Sequence, residues 1–289
     1  MKKTFITLIS AFLGLGAGTA WSAPVEGVIE AIDSDAMQIQ LRVNSGGNEL
    51  VTAFIGRGDA GILSAGDAVR GDLVSFGDGY RLQTIWPNDP VVRGTISRMG
   101  DALHKDTLHR GSKVFRGVGE YMPKFALYDT DGSLFLSESL KGNYVIMNFI
   151  FTRCANPNMC PAATTRMKEL QEIAKAEGVT DLHQVSITLD PDYDTPGIFT
   201  AYAMDKELDT ETFHLLGGPA QVVEDMKLQM GVLSEPDEDE IIRHTMSTAL
   251  IDPSGKIIYR IPGSMWSPKA FLKQYWKDKG REKRDESRL

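Results

Sequence analysis

Over residues 25–86 apolar and polar side chains alternate in short runs. Val25 to Asp33, Met37 to Val43 and residues 50–55 each repeat with a period near two, which predicts half-buried strands. Residues 72–76 then turn through Gly77-Asp78-Gly79 into 80–86, the pattern of a hairpin. Together these runs predict a small all-β domain over residues 23–90, an OB-like barrel. The rhythm breaks at Pro87-Asn88-Asp89-Pro90. Residues 91–118, with scattered glycines and several basic side chains, predict a linker with room for one short helix.

A different rhythm follows. Residues 125–128 and 133–136 flank a turn at Asp129-Thr130-Asp131-Gly132 and predict a hairpin. Residues 144–151 are a nearly unbroken apolar run, as a strand covered on both faces requires. Met167, Leu170, Ile173 and Ala174 follow at helical spacing behind Pro161, and 184–189 supply a second buried strand, completing a βαβ unit. Helices are expected within 196–206, 219–230 and 267–276, a short strand at 213–216, and a hairpin around Pro253-Ser254-Gly255. This order predicts an α/β thioredoxin-like domain over residues 119–276. The charged residues 277–289 are expected to form a frayed tail.

The N-terminus changes the picture of where the chain works. Lys2 and Lys3 precede an uncharged apolar run from Phe5 to about Ala20, and small residues follow, so residues 1–22 read as a signal peptide cleaved after Ser22. The run is short of the roughly 20 residues a spanning helix needs. The expected product is an exported, periplasmic protein, soluble after cleavage. Loss of Lys2 and Lys3 moves the net charge from −8 by two units to −10. That acidic balance argues against nucleic acid as a partner.

Export places the chain where disulfides persist, yet it has only 2 cysteines in 289 residues. It is no disulfide scaffold, and each thiol needs its own account. Cys154 and Cys160 bracket a loop that leaves the buried strand and enters a helix, where free backbone N–H groups and the helix dipole are expected to favour thiolate over thiol. Three readings stand: a structural disulfide, a redox-active dithiol, or a pair of thiolate ligands for a soft metal. Met99, His104 and His109 in the linker are further soft and imidazole donors, although histidines on a polar segment are usually solvated. His183 and His214 read as structural or exposed.

The blocks Asn148-Phe149-Ile150-Phe151-Thr152-Arg153-Cys154 to Cys160-Pro161, then Thr188-Leu189-Asp190 to Asp194-Thr195-Pro196, then His244 ahead of Leu250 to Gly255, resemble the Sco/SenC family of copper chaperones. The resemblance implies a thioredoxin fold and one copper, Cu(I) or Cu(II), held by Cys154, Cys160 and His244. It also implies a role in assembling the copper centre of cytochrome c oxidase, with an oxidase subunit or another copper-receiving or disulfide-bearing protein as partner. Some members of the family act as thiol reductants, so Cys154 and Cys160 are also expected as a catalytic redox pair. This chain has five residues between its cysteines where the family usually has three, and no stable membrane anchor is expected. Met159 in the loop and Asp190 at the strand end are possible accessory groups. Asp194 or Thr195 is expected to cap the helix that Pro196 begins. The barrel is loosely similar to small periplasmic copper-binding barrels of the CusF type but has no histidine, which leaves it a binding or docking module. A thiol-disulfide oxidoreductase without stable metal binding is the alternative. A peroxidase of the peroxiredoxin kind lacks its usual Pro-x-x-x-Thr-x-x-Cys arrangement here.

Overall fold

The computed structural model describes residues 22–44, 48–236 and 242–286, with 234–236, 242–244 and 281–286 described as backbone only. Residues 1–21 of the expected leader, and residues 237–241, lie outside the described residues. The chain divides into two units, residues 1–90 and 91–289.

Among the described residues of the first unit five strands form: β1 (Ser22–Asp33), β2 (Gln38–Val43), β3 (Leu50–Phe54), β4 (Ala68–Phe76) and β5 (Gly79–Pro87). They run in the order β1-β2-β3-β5-β4 and close, because β1 pairs with β4 as well as with β2. Only the β3–β5 pairing is parallel. The inward-facing members of the alternating runs, among them Ile29, Leu41, Val69 and Leu82, fill the interior. Gly27 pairs with Val43 on one side and Val69 on the other. A Cβ there would stand 2.4 Å from the Arg42 carbonyl oxygen, so only glycine fits that crowded position. The six-residue helix α1 (Arg57–Ile62) between β3 and β4 has no counterpart in the all-β expectation. It is too short to show a helical apolar period.

The second unit corrects two expectations at its ends. Residues 91–118 are not a connection with one short helix; α2 (Pro90–Arg110) runs for 21 residues. Its buried positions Ile96, Gly100, Leu103 and Thr107 recur at helical spacing, but two of the four are glycine and threonine, so the stripe is faint in sequence. Gly100 lets α2 approach closely, since a Cβ would stand 2.8 Å from Val222. At the other end, α6 (Pro268–Glu286) continues through most of the expected tail. Asp181 anchors it by accepting from the Tyr275 hydroxyl at 2.6 Å and from Lys279 Nζ at 2.6 Å.

Between them lie β6 (Ala126–Tyr128), β7 (Leu134–Leu136), β8 (Tyr144–Ile150), α3 (Cys160–Ala176), β9 (Leu182–Thr188), α4 (Pro196–Lys206), β10 (Phe213–Leu216) and α5 (Ala220–Met230). After these come β11 (Ser234–Pro236), β12 (Ile242–His244), β13 (Ser247–Ile251) and β14 (Ile257–Pro262). The central sheet has the order β10-β9-β8-β13-β14, with β8, β9 and β10 parallel and β13 and β14 antiparallel to their neighbours. This is the thioredoxin-like arrangement. All seven residues of β8 are buried, as an inner strand with both faces covered requires. Its C-terminal end delivers the chain to the cysteine loop.

Candidate metal centre

Cys154 and Cys160 are both free thiols, Cys154 partly exposed and Cys160 buried. Cys160 is the first residue of α3 and follows Met159, a half-buried N-cap residue that makes no side-chain cap. The five intervening residues fold on Asn156, whose carbonyl accepts from Met159 N at 3.1 Å and whose Oδ1 accepts from Asn158 N at 3.0 Å. The Ser264 hydroxyl donates to the Asn158 carbonyl at 2.5 Å, tying this wider loop to the segment after β14. The longer gap is thus a hydrogen-bonded turn.

The two thiols are close enough for Cys154 to act on the ionisation of Cys160. Burial pushes the Cys160 thiol up, and the neighbouring Cys154 adds to that, while backbone groups of Phe151 and Cys160 pull it down by less. The direction of this shift is opposite to the one expected from the place of Cys160 at the junction. The low-dielectric surroundings of a residue with 0% exposure outweigh the dipole.

Asp190 ends the β9 side of the site and is buried. Its Oδ2 accepts from Arg153 Nε at 2.6 Å, and the same guanidinium lies 4.7 Å from the centroid of the Tyr193 ring. Asp190 therefore holds the residue adjacent to Cys154. Asp194 does not cap α4. Thr195 takes that role, accepting from Ile198 N at 3.5 Å. The Asp194 carboxyl instead turns inward, where Thr152 donates its N–H and its hydroxyl and Thr188 donates its hydroxyl at 2.7 Å. Burial raises its pKa to about 6 in spite of those donors. Tyr202 is a further neighbour that the sequence did not single out. Its hydroxyl meets that of Thr164 at 2.8 Å, and its pKa is raised to about 12, chiefly by burial, with both cysteines and Asp194 contributing.

His244 closes β12, which pairs with β11 so that His244 stands opposite Ser234. The ribbon is held at its base by Thr245, whose N–H donates to the Leu233 carbonyl at 2.8 Å and whose hydroxyl accepts from Leu233 N at 2.9 Å. The His244 side chain lies outside the described residues. Among the described residues no three His, Cys, Asp or Glu side chains gather as a metal cluster. His104 is engaged elsewhere, 3.1 Å from Asp225. Two sulfur donors bracketing one short loop suit a soft cation. Among the described residues no helix is long and apolar enough to cross a membrane.

A SCO1 protein homolog from Bacillus subtilis is 31% identical over 151 residues, 51% of this chain and 77% of that protein. The crystal structure of a SCO1/SenC family lipoprotein from Bacillus anthracis matches at 29% identity with a TM-score of 0.51, covering 57% of this chain and 98% of that one. Arabidopsis thaliana ScoI, solved with copper bound, matches at 20% identity and a TM-score of 0.49, covering 57% of this chain and 99% of that one. The SCO1/SenC family model matches residues 116–276, more than half of the sequence. The chain belongs to the SCO1/SenC family.

Proposed function

We propose that this chain is an exported copper-binding metallochaperone, with Cys154 and Cys160 as thiolate ligands and His244 as the imidazole ligand. The observation that carries the reading is the pair of unbridged thiols bracketing the strand-to-helix junction, one partly exposed and one buried at the start of α3. Two thiolates suit Cu(I), and an added imidazole lets the same set hold Cu(II). Zinc in a closed site would take a fourth ligand. Cys154, partly exposed, meets an incoming cation first, and Cys160 gives the second sulfur as its proton leaves. Arg153, tied to Asp190, sets the entry to the loop, and Met159, half-buried before Cys160, is the accessory thioether in this reading.

The recipient in this reading is a copper-receiving protein of the periplasm, such as the subunit carrying the copper centre of cytochrome c oxidase. Residues 1–22 act as the export signal, residues 23–90 as a domain of their own and 119–276 as the thioredoxin-like domain. We read the barrel as an OB-type docking module. Its strand order, its parallel β3–β5 pair and the helix between β3 and β4 support that type.

The test is metal loading of the mature protein under reducing, oxygen-free conditions. About one equivalent of Cu(I) retained through desalting, and a Cu(II) spectrum altered by His244→Ala, are expected. Failure to retain Cu(I), or a Cu(II) spectrum indifferent to His244→Ala, overturns the reading.

A thiol-disulfide oxidoreductase is the second reading, favoured by the asymmetry between a partly exposed Cys154 and a buried Cys160. Cys154 would attack a partner disulfide and Cys160 would resolve the mixed disulfide. Exchange activity retained in His244→Ala, without stable copper binding, identifies this case.

A further inference from the structure

His183 and His214, neither of them used by the copper site, face each other across the paired strands β9 and β10. His183 Nδ1 lies 3.2 Å from His214 Nε2. The ring planes are within 10° and the centroids 5.5 Å apart, so the rings meet edge to edge through those nitrogens. On its far side His214 Nδ1 lies 2.7 Å from Asp129 Oδ2. Asp129 sits in the β6–β7 turn and is itself fixed, since its Oδ1 accepts from Thr130 N at 2.7 Å. An Nδ1–H donated to that carboxylate leaves the lone pair of His214 on Nε2, aimed at His183. A carboxylate behind an imidazole whose other nitrogen is bare is the support that orients metal-ligating histidines.

The pair lies at the opposite end of the sheet from the cysteine loop. His183 is the second residue of β9, in register with Val145, whereas the loop follows Ile150, in register with Thr188. Five residues of strand separate the two levels, on the order of 16 Å. Phe135 packs beside His214 with ring centroids 4.9 Å apart, giving the pair one apolar wall. Both residues are only partly buried.

We propose that His183 and His214, oriented by Asp129, form a second metal site, for an imidazole-seeking d10 cation such as Zn(II) or Cu(I). Zinc–nitrogen bonds run about 2.0–2.1 Å, so two nitrogens bound to one tetrahedral ion stand close to the 3.2 Å separation already present. The ion replaces the N–H···N hydrogen bond. The His183 proton moves from Nδ1 to Nε2, both rings pivot to aim their lone pairs at the ion, and water completes the coordination. Starting from two neutral imidazoles, the step releases no proton.

The site is tested in the full chain with Cys154→Ser, Cys160→Ser and His244→Ala combined, so that the copper reading plays no part. Zinc is titrated while the imidazole resonances are followed by NMR. Saturation near one equivalent is expected, with the His183 and His214 rings shifting together and those of His104 and His109 unmoved. Asp129→Asn is expected to weaken binding 10- to 100-fold, the range for loss of such a supporting carboxylate. His183→Gln, checked for an unchanged circular dichroism spectrum, should abolish saturation. Absence of saturable binding, shifts confined to His104 or His109, or full binding in His183→Gln each overturns the proposal.

Discussion

Thr188 donates its hydroxyl to the Asp194 carboxylate at 2.7 Å, joining the end of β9 to a side chain with 0% exposure. Thr152 completes the set from the segment just past β8, two residues before Cys154. Asp194 is thus the knot that fixes where β8 lets go of the sheet and the cysteine loop begins.

That knot sets a pH dependence. The pKa of Asp194 is raised to about 6, mainly by burial, so between the ordinary carboxylate value and 6 the native state holds a proton that the unfolded chain has released. Stability contributed by the neutral acid is present below that window and is lost as pH rises through it. A shift of about 2 units corresponds to roughly 3 kcal/mol. Asp194→Asn should therefore flatten the fall in stability between about pH 4 and 6. Chemical denaturation at several pH values measures it, and an unchanged slope in the variant refutes the assignment.

The two thiols should differ in reactivity. Cys160 has 0% exposure and a thiol pushed up by burial, whereas Cys154 lies at the loop surface. Only thiolate alkylates, and only where a reagent reaches it. Iodoacetamide on the reduced, metal-free protein should modify Cys154 first, with Cys160 following only on denaturation. Peptide mapping after a timed quench gives the order, and equal labelling in the native state contradicts it.

Ser264 supplies a second test of the loop. Its 2.5 Å hydrogen bond to the Asn158 carbonyl holds the five-residue gap against the segment leading to α6. Ser264→Ala should cost about 1 kcal/mol, the usual net worth of one such bond. Because the loop carries both thiols, the same change should also speed Cys154 alkylation. A loss of stability with no change in the alkylation rate would separate the loop from the hydrogen bond.

Much of this was legible in the residues, for reasons that differ by element. The run 144–151 reads as an inner strand because all of β8 is in fact covered, and the chain order then places Cys154 and Cys160 at its exit. α2 was hidden because Gly100 and Thr107 occupy buried positions where a sequence stripe would need large apolar side chains. The extension of α6 was hidden because a charged segment looks solvated until Asp181 is seen beneath it. Asp194-Thr195-Pro196 carries two capping candidates, and only the fold shows that Thr195 caps while Asp194 turns inward. Tyr202 and Thr164 had no signal of their own, since their meeting depends on how α3 and α4 pack. The direction of the Cys160 shift likewise depends on burial, which the junction alone does not reveal.

The ribbon that ends in His244 provides the last prediction. α5 stops at Gly231, which has a φ of 70° and lies where a Cβ would stand 2.4 Å from the Phe115 ring, so the chain leaves the helix through a position only glycine satisfies. Beyond it, Thr245 and Leu233 exchange two hydrogen bonds at 2.8 and 2.9 Å and clamp the base of β11 and β12. Thr245→Val keeps the backbone bond and the side-chain shape but removes the hydroxyl acceptor, leaving Leu233 N to solvent. Because Thr245 is exposed, the global cost should be small, within about 0.5 kcal/mol. If His244 is the imidazole ligand, the loosened ribbon should still weaken Cu(II) binding several-fold and broaden its spectrum, while Cu(I) binding by the two thiols changes little. Equilibrium competition for both oxidation states reads the difference. Equal losses for Cu(I) and Cu(II) would mean that the ribbon acts on the thiols, and no loss in either would detach His244 from the site.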